Sequence, residues 1–452
     1  MKLRSLFSVF AALLGAAVAL GSQIATSATP SVALRIDVDR TVLPADTTDK
    51  AILKICLDGL RPERRGVRPP VNLALVIDRS GSMAGDKIEK AREAAIEAVQ
   101  QLAADDIVSV VIYDDAAEVL VPAQRRRDGR QIAQAIRGIE PGGSTALYDG
   151  VKHGAEEVRR HLEDRRFVHR VILLSDGLAN RGPSSPAELG RLGRELMREG
   201  ISVTTIGLGL GFNEDLMTQL AQRSDGNTYF VENSDDLPRI FAAELGDVLS
   251  IVARRVVVEI NFPAGVRPLA FVGREGKIDG QRAELSLNQI YGGQEKFALV
   301  EVEVSPRKSG AESTLATARV TFEDALQARE ATLSAKRNVT FSADPSLMVK
   351  SANHQVQADY AVNVLAVAKD EAVALVDAGK RAEAGQHLRE RAAKLQAVGR
   401  AYSNLAVTAA AAPMQATADT LAREGLDNAK RKAFRAESAE VRNQQATPAV
   451  SR

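Results

Sequence analysis

Cysteine is almost missing from this 452-residue chain: Cys56 stands alone. One cysteine excludes an internal disulfide, and with it the disulfide-stapled scaffolds common among secreted animal proteins. Its place in the alternating stretch 51–57 (AILKICL) reads as a small core residue rather than a reactive thiol. Tryptophan is absent and aromatics make up only 4% of the residues. An excess of either charge is lacking too: 59 basic and 58 acidic side chains leave a net charge of +1. That balance gives no bulk attraction for nucleic acid. Short basic clusters at 61–68 and 125–130 have no interleaved aromatics for base stacking and read as solvated surface. Long apolar runs are represented only by residues 6–20, shorter than the ~20 residues of a spanning helix. Lys2 and Arg4 precede that run and small residues follow it to Ala28, so 1–28 reads as a signal peptide cleaved near Ser27 or Ala28. No cysteine follows closely enough for a lipid anchor. The expectation is an exported protein, periplasmic or secreted, with no integral membrane span after cleavage. Export without disulfides agrees better with a bacterial envelope than with animal plasma.

The length calls for two to four domains. Two strand-like runs, 33–38 and 50–57, open the mature chain. From Val71 strands and helices alternate. Apolar runs at 71–77, 107–113, 170–174, 201–208 and 227–231 are separated by helical patterns at 87–103, 131–138, 147–164, 186–199 and 214–224, and a last helix spans 235–249. Such alternation implies a mostly parallel central sheet covered on both faces. Beyond 250 the period changes to two, at 256–262, 297–304, 315–322 and 337–341, as in half-exposed antiparallel strands. The two N-terminal strands cannot form a stable unit alone. The expected architecture therefore inserts the α/β domain (71–249) into a β-sandwich built from 29–70 and 250–343; the alternative packs the N-terminal strands on the α/β domain. Asp344-Pro345 then caps a helical region (344–437) with helices expected at 346–378, 381–398 and 414–437. Residues 438–452 read as a disordered tail.

The stretch 71–83, VNLALVIDRSGSM, carries the chemistry. A buried strand ends abruptly at Asp78, and Ser80 and Ser82 follow on the loop at its carboxyl end, where open α/β sheets bind ligands. A carboxylate and two hydroxyls make a hard oxygen site of the kind Mg²⁺ prefers. Taken singly, such residues after a strand are commonly turn formers or helix caps. The D-x-S-x-S pattern resembles the metal-ion-dependent adhesion site of von Willebrand factor type A (integrin I-like) domains. That family completes its site with a Thr on a later loop and an Asp after a later strand. In this chain 142–147 (GGSTAL) supplies Thr145, with Ser144 as its neighbouring competitor, and Ser175-Asp176-Gly177 after the strand 170–174 supplies Asp176. The resemblance implies a Rossmann-like α/β fold over about 71–249. The series of signal peptide, strands, α/β domain, strands and helices also resembles bacterial secreted proteins related to inter-alpha-trypsin inhibitor heavy chains.

The family's chemistry, carried over, makes Ser80 and Ser82 constant ligands of a divalent cation, with Asp78 holding ligand waters and orienting the serines. Thr145 and Asp176 would exchange direct and water-mediated roles. Mg²⁺ is the expected ion, although Mn²⁺ and Ca²⁺ also accept oxygen ligands. An Asp or Glu carboxylate from a protein partner would fill the open coordination position. In related domains the last helix shifts with the state of the metal; here it leads directly into the strand near Val252, and a static connection is the equal alternative. Other motifs carry less. Residues 206–211 (IGLGLG) lack dinucleotide-loop spacing, Ser305-Pro306-Arg307-Lys308 sits in a turn without a supporting motif, and the five histidines form no ligand pattern. The expected function is thus a metal-dependent binding protein and not an enzyme. An envelope-complex assembly factor is the alternative, and a hydrolase is disfavoured because no nucleophile–base pair is visible.

Overall fold

A computed structural model of the protein describes residues 30–61 and 68–446; the expected signal peptide at 1–28 lies outside the described residues. Strands β1 (Val32–Val38), β2 (Val42–Pro44) and β3 (Asp49–Gly59) open the described chain. The α/β domain follows as β4 (Val71–Asp78), α1 (Asp86–Gln101), β5 (Ile107–Tyr113), β6 (Ala117–Arg125), α2 (Arg130–Arg137), α3 (Leu147–Arg159) and β7 (Val168–Ser175). It continues with α4 (Pro186–Glu199), β8 (Ile201–Leu208), α5 (Glu214–Arg223), β9 (Thr228–Val231) and α6 (Leu237–Val248). Its sheet has the order β6-β5-β4-β7-β8-β9. Every pairing is parallel except that of β6 with β5.

Burial on both faces explains the unbroken apolar runs. All eight residues of β4 are buried. Leu73, Leu75 and Ile77 point to one core with Ile88 and Val99 of α1 and Phe241 of α6. Ala74 and Val76 point to the other with Leu147 of α3, Leu189 of α4 and Leu216 of α5. The period of two along the strand distributes its side chains between two helical layers. Edge strand β6 was not expected from the sequence. Pro122 interrupts it and its pairing with β5 shifts register, which is how an edge strand escapes a periodicity reading.

The strands after α6 are β10 (Ile251–Asn261), β11 (Val266–Val272), β12 (Lys277–Asp279), β13 (Arg282–Tyr291), β14 (Glu295–Val304), β15 (Glu312–Asp324) and β16 (Arg329–Ser342). One sheet runs β1-β3-β14-β11 and a second β12-β13-β10-β15-β16-β2, so strands from both sides of the α/β domain share each sheet. A common apolar core unites them, with Leu53 and Ile55 of β3 beside Val258 and Ile260 of β10 and Val320 of β15. This is the sandwich with an inserted α/β domain that the sequence implied, and the N-terminal strands do not pack as an appendage of that domain. Strand β13 escaped the sequence reading because its polar Asn288 and Gln289 are buried against the α/β domain and not exposed. The Asn288 amide donates to Ser202 Oγ at 2.9 Å.

The helical region comprises α7 (Pro345–Lys350), α8 (His354–Asp377), α9 (Arg381–Ala401), α10 (Leu405–Ala411), α11 (Met414–Glu424) and α12 (Asn428–Arg442), followed by a short strand, β17 (Gln445–Ala446). The single helix expected at 346–378 is broken. Ala352 forms a bridge with Arg40, and Asn353 restarts the helix by accepting from Val356 N–H. The helix expected at 414–437 also divides, at Gly425, whose φ of 78° only glycine adopts freely, and at the Asp427 cap. The tail expected from 438 begins too early. Ser438 is buried on Ala366 O and Asp370, α12 continues to Arg442, and β17 pairs with β14. Cys56 lies in the apolar layer between the first sheet and α8, with Phe297 and Leu299, and burial pushes its thiol well above the ordinary range.

Candidate metal centre

The expected site residues meet at the carboxyl ends of β4 and β7. Asp78 ends β4 and is fully buried. Ser80 N–H donates to its Oδ1 at 2.8 Å, turning the chain tightly, and Ser175 Oγ donates to its Oδ2 at 2.7 Å from the end of β7. The Ser80 and Ser82 hydroxyls are 3.2 Å apart, and Ser82 Oγ donates to Asp176 Oδ1 at 2.6 Å. Ser80–Ser82–Asp176 is therefore one chain of contacts, and its Ser82–Asp176 link joins residues 94 apart in sequence. Burial pushes Asp78 up to about 6, against the hydrogen bonds from Ser80 and Ser175, and the nearby Asp176 charge adds to the rise.

Thr145 sits on the third loop. Gly81 N–H donates to Gly143 O at 3.1 Å, which holds that loop against the first. Gly143 has φ 74°, and a Cβ there would stand 3.0 Å from Asp114, so the loop requires glycine. Asn180 Oδ1 accepts from Thr145 N–H at 2.9 Å. The Thr145 side chain lies against Gly177, whose added Cβ would meet Thr145 Oγ1 at 2.8 Å. Ser144, the competing hydroxyl, instead turns to Asp115, whose Oδ1 accepts its N–H. Asp78, Ser80, Thr145 and Asp176 are buried, whereas Ser82 is exposed, so the cluster opens to solvent on the Ser82 side.

Several contributors carried no local signal in the sequence. Ser175 and Asn180 position Asp78 and Thr145. Lys87, in the first turn of α1, places its ammonium on Asp176 Oδ2 and, at 3.3 Å, on Ser82 O. Any cation that uses Asp176 competes with this one. The 206–211 stretch ends β8 and turns at Gly209, φ 69°, behind Asp176: a Cβ on Gly211 would lie 2.7 Å from Asp176 O. Lys432 of α12 donates to Phe212 O and, at 2.5 Å, to Glu214 Oε2, so the helical region braces this loop. Ser305–Lys308 falls between β14 and β15, away from these loops.

The donor set fits a divalent cation. It is oxygen throughout, with two carboxylates and three hydroxyls, and burial makes one carboxylate, Asp78, costly to ionise. No group of three or more His, Cys, Asp or Glu residues suited to a metal occurs among the described residues. A site built on hydroxyls does not need one.

Residues 72–243 match the family model of the von Willebrand factor type A domain. An uncharacterized protein of Synechocystis sp. is 33% identical over 175 residues, 38% of this chain and 40% of that protein. Human inter-alpha-trypsin inhibitor heavy chain H3 is 28% identical over 167 residues, 35% of this chain and 18% of its own length. The chain thus spans less than half of these relatives. The solved structure of a von Willebrand factor type A protein from Catenulispora acidiphila superposes with a TM-score of 0.68 at 17% identity, covering 94% of this chain and 99% of that one, a likeness of fold. Strand order, helical layers and the family match agree, and the chain carries a von Willebrand factor type A domain over residues 72–243.

Proposed function

We propose that this is an exported, metal-dependent protein-binding protein. Its Asp78, Ser80, Ser82, Thr145 and Asp176 would hold a divalent cation, Mg²⁺ in the first place, and the ion would present an open coordination position to a partner's Asp or Glu carboxylate. The observation that carries the proposal is the convergence of these oxygen side chains, linked through Ser80, Ser82 and Asp176, on a cluster open to solvent at Ser82. With the neutral Ser80 and Ser82 hydroxyls as direct ligands and few carboxylates ligating directly, the ion would keep positive charge to offer a partner's carboxylate. The residues do the rest: Ser175 and Ser80 orient Asp78, Asn180 holds Thr145, and the loop at Gly211 backs Asp176. The donor set contains no histidine and few carboxylates, unlike hydrolytic centres, which favours binding over catalysis.

Export rests on the leader-like sequence at 1–28. Among the described residues no helix is long and apolar enough to cross a membrane. A second reading, an assembly factor for an envelope complex, draws support from α12. Arg431 and Lys432 tie it to Glu214 at the start of α5, so the helical region and the α/β domain offer a joint surface.

Selection from a random peptide library in Mg²⁺, followed by elution with EDTA, tests the binding proposal. Enriched peptides are expected to carry Asp or Glu, to release on chelation and to ignore the Ser80→Ala variant. Peptides that stay bound in EDTA, or that bind Ser80→Ala equally well, would contradict it.

A further inference from the structure

At the opposite end of the α/β sheet from the metal centre, a cavity of about 450 Å³ opens between that domain and the sandwich. Helix α4 starts after the carboxyl end of β7 and runs back to the beginning of β8. Its later turns therefore bring Arg194 and Arg198 to the amino ends of the strands, where α5 also ends at Arg223. The β11–β12 turn adds Arg274, the start of β12 adds Lys277, and the end of α12 adds Arg442. We infer that this cavity binds a compact polyanion, a small molecule bearing at least two phosphate or carboxylate groups.

The charges are unbalanced. Asp225, Glu275 and Glu284 are the acidic groups of the lining, and all three are engaged or opposed. Asp225 accepts from Lys296 Nζ at 2.8 Å and from Arg274 at 2.9 Å. Glu275 pairs with Arg223, and Glu284 lies across from Lys277 in the β12–β13 ladder. Arg442 pairs outside the cavity with Asp370 at 2.6 Å. Arg194 and Arg198 are exposed and form no ion pair among the described residues. Burial and the charges of Arg194 and Arg442 hold the Arg223 guanidinium below its ordinary value, a repulsion that a bound anion would relieve.

The guanidinium fork matches the planar or tetrahedral oxygens of carboxylate and phosphate. The volume suits a small organic ligand rather than a polymer.

Calorimetric titration of the mature chain with inorganic pyrophosphate and, separately, citrate tests this. It is run on metal-stripped protein in chelator-free buffer at constant ionic strength, so the result is independent of the metal proposal. Saturable binding of at least one probe is expected, weakened about tenfold or more in Arg194→Ala/Arg198→Ala by loss of two charge-assisted contacts. The charge-matched Arg125→Ala/Arg130→Ala variant, at the far edge of the sheet near β6, is expected to bind as the wild type does. Tighter pyrophosphate assigns the site to phosphate ligands and tighter citrate to polycarboxylates. Absence of saturable binding at millimolar probe, or equal weakening in both double variants, would overturn the inference.

Discussion

Replacing Lys87 with methionine should tighten Mg²⁺ binding. The Lys87 ammonium rests on Asp176 and on Ser82 O, so an incoming ion must displace it from a carboxylate in the proposed donor set. The Asp176 carboxyl is fully buried while the Lys87 side chain is 36% exposed. Hydrogen bonds to charged groups contribute about 1.5–3 kcal/mol, and exposed ion pairs about 0–1 kcal/mol. A pair with one buried end falls between, at about 1–2 kcal/mol. Since about 1.4 kcal/mol is a factor of ten, removing the competitor should lower the Kd for Mg²⁺ roughly five- to thirtyfold. Methionine keeps most of the apolar stem, so packing at the start of α1 is preserved. The same change strips Asp176 of its counter-charge, so thermal stability in EDTA should fall while stability in saturating Mg²⁺ is maintained. Calorimetry and thermal unfolding read the two effects with opposite signs. Weaker or unchanged Mg²⁺ affinity would refute competition and make Lys87 a support of the site instead.

Three further perturbations test other parts of the structure. Gly177→Ala places a Cβ 2.8 Å from Thr145 Oγ1 and should weaken Mg²⁺ about tenfold with little change in the urea midpoint; unaltered affinity would remove Thr145 from the ligand set. Arg170 and Glu244 are fully buried 3.5 Å apart, and Arg170 also donates to Tyr291 OH of the sandwich at 2.8 Å. Arg170→Met should therefore cost about 3–5 kcal/mol in urea unfolding, with much of it regained in Arg170→Met/Glu244→Gln; a loss under 1 kcal/mol would contradict a buried charge pair at this junction. Burial, reinforced by Arg254 and Arg255, holds His169 down to about 4. Between that value and the unfolded value of about 6.5 the unfolded chain binds the extra proton. Stability should be full above 6.5 and fall by about 3 kcal/mol as pH drops to 4, a slope that His169→Gln flattens and that would refute the burial effect if it persisted.

The legibility of this fold tracks what each strand faces. Strand β4 could be read directly because both its faces are buried, and β14 and β15 because one face of each meets the sandwich core. Strand β13 could not, since Asn288 bonds to Ser202 of the α/β domain and Gln289 to Tyr291 within the strand, so buried polar residues stand where periodicity asks for exposed ones. The break at 351–353 is joined by a bridge to Arg40 more than three hundred residues earlier, and its local mark is the Asn353 cap alone. At the site, Asp78, Ser80 and Ser82 announce themselves by spacing. Thr145 and Asp176 came through family resemblance alone, because the distances that join them to the serines are tertiary. Lys87 reads as an ordinary helical lysine until α1 is seen to begin beside Asp176.

The central claim is that Asp78, Ser80, Ser82, Thr145 and Asp176 form a divalent-cation site, and calorimetric titration of Mg²⁺ and Mn²⁺ into metal-stripped protein tests it most directly. Saturable one-site binding to the wild type, lost in both Asp78→Ala and Ser80→Ala, is the predicted result. No binding to the wild type, or binding that survives in both variants, would contradict it.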